Sequence, residues 1–150
     1  MKSIINKSMA LVAICSALLS FSSKPGGEGF EIFLNNKLLL QRFGSDVNTV
    51  KSIQLEPGST NDQLIIKYYH CGKAGKNRYV TIKDEQDKVL KQFHYTDAAT
   101  PVTAISVPVK DIMNLKKGNV VLKLYYSSAE LPNGRMLASI NMTGTNTARL

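Results

Sequence analysis

The chain has no tryptophan, and aromatics make up 7% of its 150 residues, so any binding site must do without the side chain most used for stacking. Its two cysteines exclude a disulfide framework, and its ten glycines follow no collagen-like period. Acidic residues are in short supply, 11 against 19 lysines and arginines, which sets the net charge at +8. No heptad pattern supports a coiled coil, and no set of long apolar runs supports a polytopic membrane protein. What is present is enough for one domain. With 43% hydrophobic and 20% charged residues, the chain affords a packed core and is too short for two domains of ordinary size.

The first residues read as an address. Lys2 and Lys7 make a positive start, an uncharged stretch of 16 residues runs from Ser8 to Ser23, and KPGGEG follows. A charged start, a short apolar centre and a small-residue exit are the pattern of a secretory signal peptide. The stretch is shorter than the about 20 apolar residues of a membrane span, which tells against an uncleaved anchor. Ser20-Phe21-Ser22 places cleavage near Ser22–Ser23. Cys15 raises the alternative of a lipid-modified cysteine, but that motif wants a small residue before the cysteine and Ile14 stands there. Loss of Lys2 and Lys7 would leave 17 basic and 11 acidic residues, a net charge of +6.

From Phe30 onward, short apolar runs alternate with turn residues. FEIFL and KLLLQRF flank Asn35-Asn36, a two-residue hairpin turn, since asparagine tolerates positive φ. VKSIQL (Val50–Leu55) ends at Glu56-Pro57-Gly58, and QLIIKYYH (Gln63–His70) ends at the loop GKAGKN. RYVTIK (Arg78–Lys83) and KVLKQFHY (Lys88–Tyr95) form a hairpin over Asp84–Asp87. TAISVPV (Thr103–Val109), NVVLKLYYS (Asn119–Ser127) and RMLASINM (Arg135–Met142) complete nine candidate strands. Pro108 removes a ladder donor, so its strand should lie at an edge or carry a bulge. Asp111–Lys117 is the one helical piece, ended by Gly118, and Pro132-Asn133-Gly134 is the turn of the last loop. The expected fold is all-β, a single antiparallel β-sandwich of immunoglobulin-like or jelly-roll-like type. Residues 1–22 are read as the signal peptide, 23–29 as a flexible segment, 30–142 as the sandwich and 143–150 as a disordered tail.

The segment KYYHCGKAGKNRY holds most of the candidate chemistry. Lys67, Lys73, Lys76 and Arg78 surround Tyr68, Tyr69 and Tyr79, a mixture suited to an anionic glycan or another anionic partner. The plainer account is a hairpin tip whose lysines keep an edge soluble while its tyrosines pack below. A second pair, Tyr125-Tyr126, has the same one-in, one-out parity, and its outward member would join Tyr69 in an aromatic platform if the two strands were adjacent. Lys73, Lys76, Arg78, Tyr69 and Tyr125 are therefore the expected contacts of a ligand. Cys71, with His70 or His94, is the competing site, as a reactive thiol or a metal pair. Strand neighbours point to opposite faces, so His70 and Cys71 reach one ion only if the chain bends at Gly72. Burial of Cys71 as a small hydrophobe is the plainer account there. No G-x-S-x-G, no C-x-x-C and no spaced pair of carboxylates marks a catalytic centre, so an enzyme is the less favoured class and no cofactor is expected.

With EIFLNNKLLL, IIKYYHCGKAGKNR and LYYSSAELPNGRMLASI side by side, the chain resembles small exported β-sandwich proteins of the Bacteroidetes type over most of residues 25–142. Those proteins share a signal peptide, an L-N-N-K-L-like hairpin and a late Y-Y-S-S…L-P-x-G-R segment. The resemblance brings no catalytic motif. It implies a location in the periplasm or at the surface of a Gram-negative cell, where the partner would be an envelope protein or an anionic glycan. Nucleic acid is not expected there, and membrane contact would follow only from a retained or lipidated N-terminus. Non-enzymatic binding in the cell envelope is the expected function.

Overall fold

The computed structural model describes residues 27–143, and the signal peptide, Cys15 and residues 144–150 of the tail lie outside the described residues. Nine strands form two sheets. The first sheet contains β1 (Gly29–Leu34), β2 (Lys37–Phe43), β4 (Gln63–Tyr69) and β7 (Ile105–Pro108), in the order β2-β1-β4-β7. The second contains β3 (Lys51–Leu55), β5 (Arg78–Lys83), β6 (Val89–Tyr95), β8 (Val120–Ser128) and β9 (Leu131–Met142), in the order β3-β9-β8-β5-β6. The fold is all-β and mostly antiparallel, an open two-sheet sandwich.

Period-two alternation places the inner faces. Phe30 and Ile32 of β1 and Leu64 and Ile66 of β4 are fully buried, as are Val80, Ile82, Leu122, Leu124 and Ile140 opposite them. Tyr68 of the first sheet stacks on Tyr126 of the second, with ring centroids 4.4 Å apart and 17° between planes, so the two inner faces meet there. At the β1–β2 turn Asn35 takes a φ of +52°, and its side-chain oxygen accepts the Gln63 N–H at 2.9 Å, which ties the hairpin to β4.

Three sequence expectations change. β3 pairs with β9 in parallel, because the chain crosses from β2 to the other sheet through a 3-10 turn at Gly44–Asn48 instead of doubling back. Pro132-Asn133-Gly134 lies within β9, and the chain reverses earlier, at Ala129-Glu130, between Ser128 and its partner Leu131. The helix, α1, runs over Val109–Met113 rather than Asp111–Lys117. Pro108 has no N–H to extend β7, and the Val109 N–H turns to the Asp62 carbonyl at 3.0 Å, so helical backbone starts at once. β7 lies at the sheet edge, as Pro108 requires.

Candidate functional site

The segment from His70 to Asn77 crosses from β4 in one sheet to β5 in the other, and this separates residues that are close in sequence. The turn His70-Cys71-Gly72-Lys73 closes with the Lys73 N–H on the His70 carbonyl at 3.1 Å. Both central residues have positive φ, +52° at Cys71 and +85° at Gly72, the pattern of a type I′ turn. Cys71 is thereby set in solvent, not in the core where a lone thiol usually packs. His70 points the other way. It is buried, with Nε2 2.9 Å from the Tyr126 hydroxyl and 3.4 Å from that of Ser128. His94 lies on β6, its ring stacked on Tyr79 at 4.5 Å and its Nε2 3.2 Å from Asn77 Oδ1. Among the described residues, no group of three or more His, Cys, Asp or Glu side chains is placed to hold a metal ion. Native protein is expected to react with iodoacetamide at Cys71 as fast as unfolded protein does, within a few-fold by mass spectrometry. A thiol that reacts only in denaturant would contradict its placement in the turn.

Arg78 leaves the set of exposed contacts. It is 5% exposed, and it donates from Nε to the Thr96 carbonyl at 2.9 Å and from Nη1 to that of Thr103 at 2.8 Å. Both carbonyls belong to the irregular segment between β6 and β7, and the guanidinium satisfies what no strand partner does. Lys73 and Lys76 are exposed. The Lys76 N–H, however, donates to the Glu130 carboxylate at 2.9 Å, so the loop is not uniformly basic. Tyr69 and Tyr125 are half-buried on different sheets, on opposite outer faces of the sandwich, and share no platform.

The inward tyrosines, the core-facing members expected of each Tyr pair, close one end of the core with a polar network. The Tyr68 hydroxyl donates to Glu28 and accepts from Arg135, and Arg135 Nη1 is 2.7 Å from Glu28 Oε1. Tyr126, His70 and Ser128 continue it. The space between Tyr68, His70, Gly75, Arg78 and Tyr126 has no room for a water molecule, so these side chains pack directly on one another at this end of the core. Burial lowers the His70 pKa below 6.5; Arg78 and Arg135 act in the same direction, while Glu130 and Glu28 oppose them. Part-burial raises the Glu28 carboxyl, but the bonds from Tyr68 and Arg135 outweigh it and hold the group below its ordinary value.

These shifts set the sign of the pH dependence. As pH falls through 6.5 the unfolded chain takes a proton on His70 before the folded chain does, so stability declines toward the lower folded value. Glu28 adds a second loss as pH falls further, through the carboxylate range. The urea midpoint is expected to drop between pH 6.5 and 5, and His70→Gln is expected to flatten that segment while leaving the more acidic loss. An unchanged slope in the variant would remove His70 from the account.

The outer face of the first sheet is where the alternation fails to turn polar. Cross-strand partners define three rows. Leu38, Phe33, Ile65 and Ser106 form one, Gln41, Glu31 and Lys67 the next, and Phe43, Gly29 and Tyr69 the third. Leu38 is 45% exposed, and Phe33, Ile65, Phe43 and Tyr69 are half-buried without belonging to the core. The Phe43 ring sits on Gly29, where an added Cβ would lie 2.0 Å from its Cδ1, and it meets Tyr69 edge to face at 5.1 Å. Glu31 stands between the apolar rows, accepting the Tyr69 hydroxyl at 2.8 Å and the Gln41 amide at 3.3 Å. Burial, then the bond to Glu31, pushes the Tyr69 hydroxyl up to about 12, so it stays a donor. Lys67 holds its ammonium 5.0 Å over the Phe33 ring.

The second sheet's outer face is more polar, with Lys83 4.3 Å over the Tyr125 ring, Lys123 2.8 Å from Asp87 and Gln92 bonded to Thr81. The sequence did carry a signal for the first face: FEIF sets Phe30 and Phe33 on opposite parities, and the outward parity of QLIIKYY holds Ile65 and Tyr69 beside Gln63 and Lys67. No protein-family model matches the chain, and no match was found among curated proteins.

Proposed function

We propose that this chain is an exported, non-enzymatic binding module of the cell envelope and that it engages its ligand with the outer face of the four-stranded sheet. One observation carries the reading: aromatic and aliphatic side chains occupy the solvent side of β1, β2 and β4, where a half-buried antiparallel sheet normally turns polar residues out. Scattered exposed apolar residues need no explanation, but Leu38, Phe33 and Ile65 are consecutive cross-strand neighbours. Of the residues first expected to bind, Tyr69 lies in this face.

The competing basic-loop reading is weaker here, because Arg78 is spent on backbone carbonyls and Glu130 sets a carboxylate against Lys76. A thiol function at Cys71 keeps an exposed cysteine, but His70 faces Tyr126 and His94 is stacked on Tyr79 and bonded to Asn77. The test is co-sedimentation of the purified domain with isolated cell envelopes. Phe33→Ala together with Tyr69→Ala is expected to reduce the bound fraction at least tenfold, and Val121→Ser, on the opposite face, to leave it unchanged. Retention of the double variant at the wild-type level would end the proposal.

A further inference from the structure

Resting on that reading of the face, we infer that its ligand is an uncharged glycan, held as a short chain of pyranose rings running along β1. The order of the rows points to it. Phe33 and Gly29, which carries the Phe43 ring, are four residues apart on one strand, so the two apolar rows lie about 14 Å apart at about 3.4 Å per residue. Between them stands the polar row of Glu31, Gln41 and Lys67. A saccharide chain is amphipathic in the same order, with C–H faces that pack on rings and hydroxyls that both donate and accept. Rings at Phe33 and at Phe43 with Tyr69 would seat the outer sugars, and the middle sugar would meet the carboxylate, amide and ammonium.

Other occupants fit the middle row badly. A protein interface keeps its driest, least charged residues at the centre, and an apolar partner would have to desolvate both the Glu31 carboxylate and the Lys67 ammonium there. A lipid surface favours apolar side chains rimmed by cations, and Glu31 lies in the middle of the face. Hydroxyls bond to all three side chains without asking them to give up charge. The row's one acid and one base select no charged sugar, and this separates the proposal from an anionic glycan on Lys73 and Lys76.

Isothermal titration of the purified domain with trisaccharides of glucose, mannose, galactose and xylose tests it. At least one is expected to bind, and to bind more tightly than its disaccharide. Phe43→Ala and Phe33→Ala should each weaken it at least tenfold, Glu31→Gln several-fold, and Val121→Ser not at all. Affinity should change less than twofold between 50 and 500 mM NaCl. Circular dichroism of each variant must match the native spectrum, and Phe33→Leu, which keeps the apolar volume but not the ring, should bind as poorly as Phe33→Ala. Failure of every sugar at millimolar concentration would overturn the inference, as would binding indifferent to Phe33 and Phe43. Self-association lost in Phe33→Ala would overturn it too, by showing a second copy on the face. If the sugars fail while envelope co-sedimentation still depends on Phe33 and Tyr69, the inference fails and the binding face stands. If neither depends on them, both fail.

Discussion

Tyr126→Ala should cost about 3–5 kcal/mol of folding stability, the range of large aromatic truncations in cores. The residue is 1% exposed, its ring stacks on Tyr68 across the two sheets, and its hydroxyl meets His70. Truncation would leave a cavity under the crossover segment and remove the partner of a buried imidazole. Against a total of about 5–15 kcal/mol for a domain of ordinary stability, that loss is a large fraction and lowers the unfolding midpoint well below that of the wild type. Tyr126→Phe separates the two effects. It keeps the ring and leaves His70 Nε2 with the 3.4 Å contact to Ser128, and should cost about 1–3 kcal/mol, the penalty of an under-satisfied buried group. Urea unfolding measures both. A Tyr126→Ala loss below about 1 kcal/mol would show that the two sheets do not depend on this stack.

Gly29→Ala is the second large effect, and it joins fold to function. A Cβ at this position would lie 2.0 Å from Phe43 Cδ1 and 2.6 Å from the Arg42 carbonyl oxygen. The ring can swing away, but the carbonyl belongs to the β1–β2 ladder and cannot move without disturbing it. Overpacking of this kind costs about 1–3 kcal/mol, and here it also lifts Phe43 off the sheet. The variant should therefore lose stability and at least tenfold in ligand affinity together. Phe43→Ala, which relieves the crowding above Gly29, should lose affinity with much less stability. Equal affinity in Gly29→Ala and the wild type would detach the seated ring from binding.

The strands were legible because most of them alternate. Val120, Leu122, Leu124 and Tyr126 announce one buried face, and Arg78–Lys83 is a strand with the bounds its sequence suggests. The parallel pairing of β3 with β9 was not legible, since partners across 80 and more residues are chosen by the packed sheet and leave no local mark. The Asn-Gly in β9 gave a turn signal that the ladder overrode, because Gly134 at φ +68° is accommodated in an irregular stretch of strand. The candidate site was half legible. Tyr69 was found by parity, but Arg78 and Tyr125 were grouped with it by closeness in sequence or by likeness of motif. The crossover at His70–Asn77 sends the chain to the other sheet, so closeness in sequence becomes distance across the sandwich. Phe33, Ile65 and Phe43 were readable as apolar residues on the wrong parity, a signal that counts only once the outward face is known.

Photocrosslinking in the intact envelope tests the central claim most directly. p-Benzoylphenylalanine is placed singly at Phe33 and at Tyr69 on the four-stranded face, and at Gln92 and Val121 on the other. A binding face on the first sheet predicts adducts of discrete, higher mass from positions 33 and 69, and bare chain from 92 and 121. Adducts from 92 or 121 alone, or from none of the four, would contradict it.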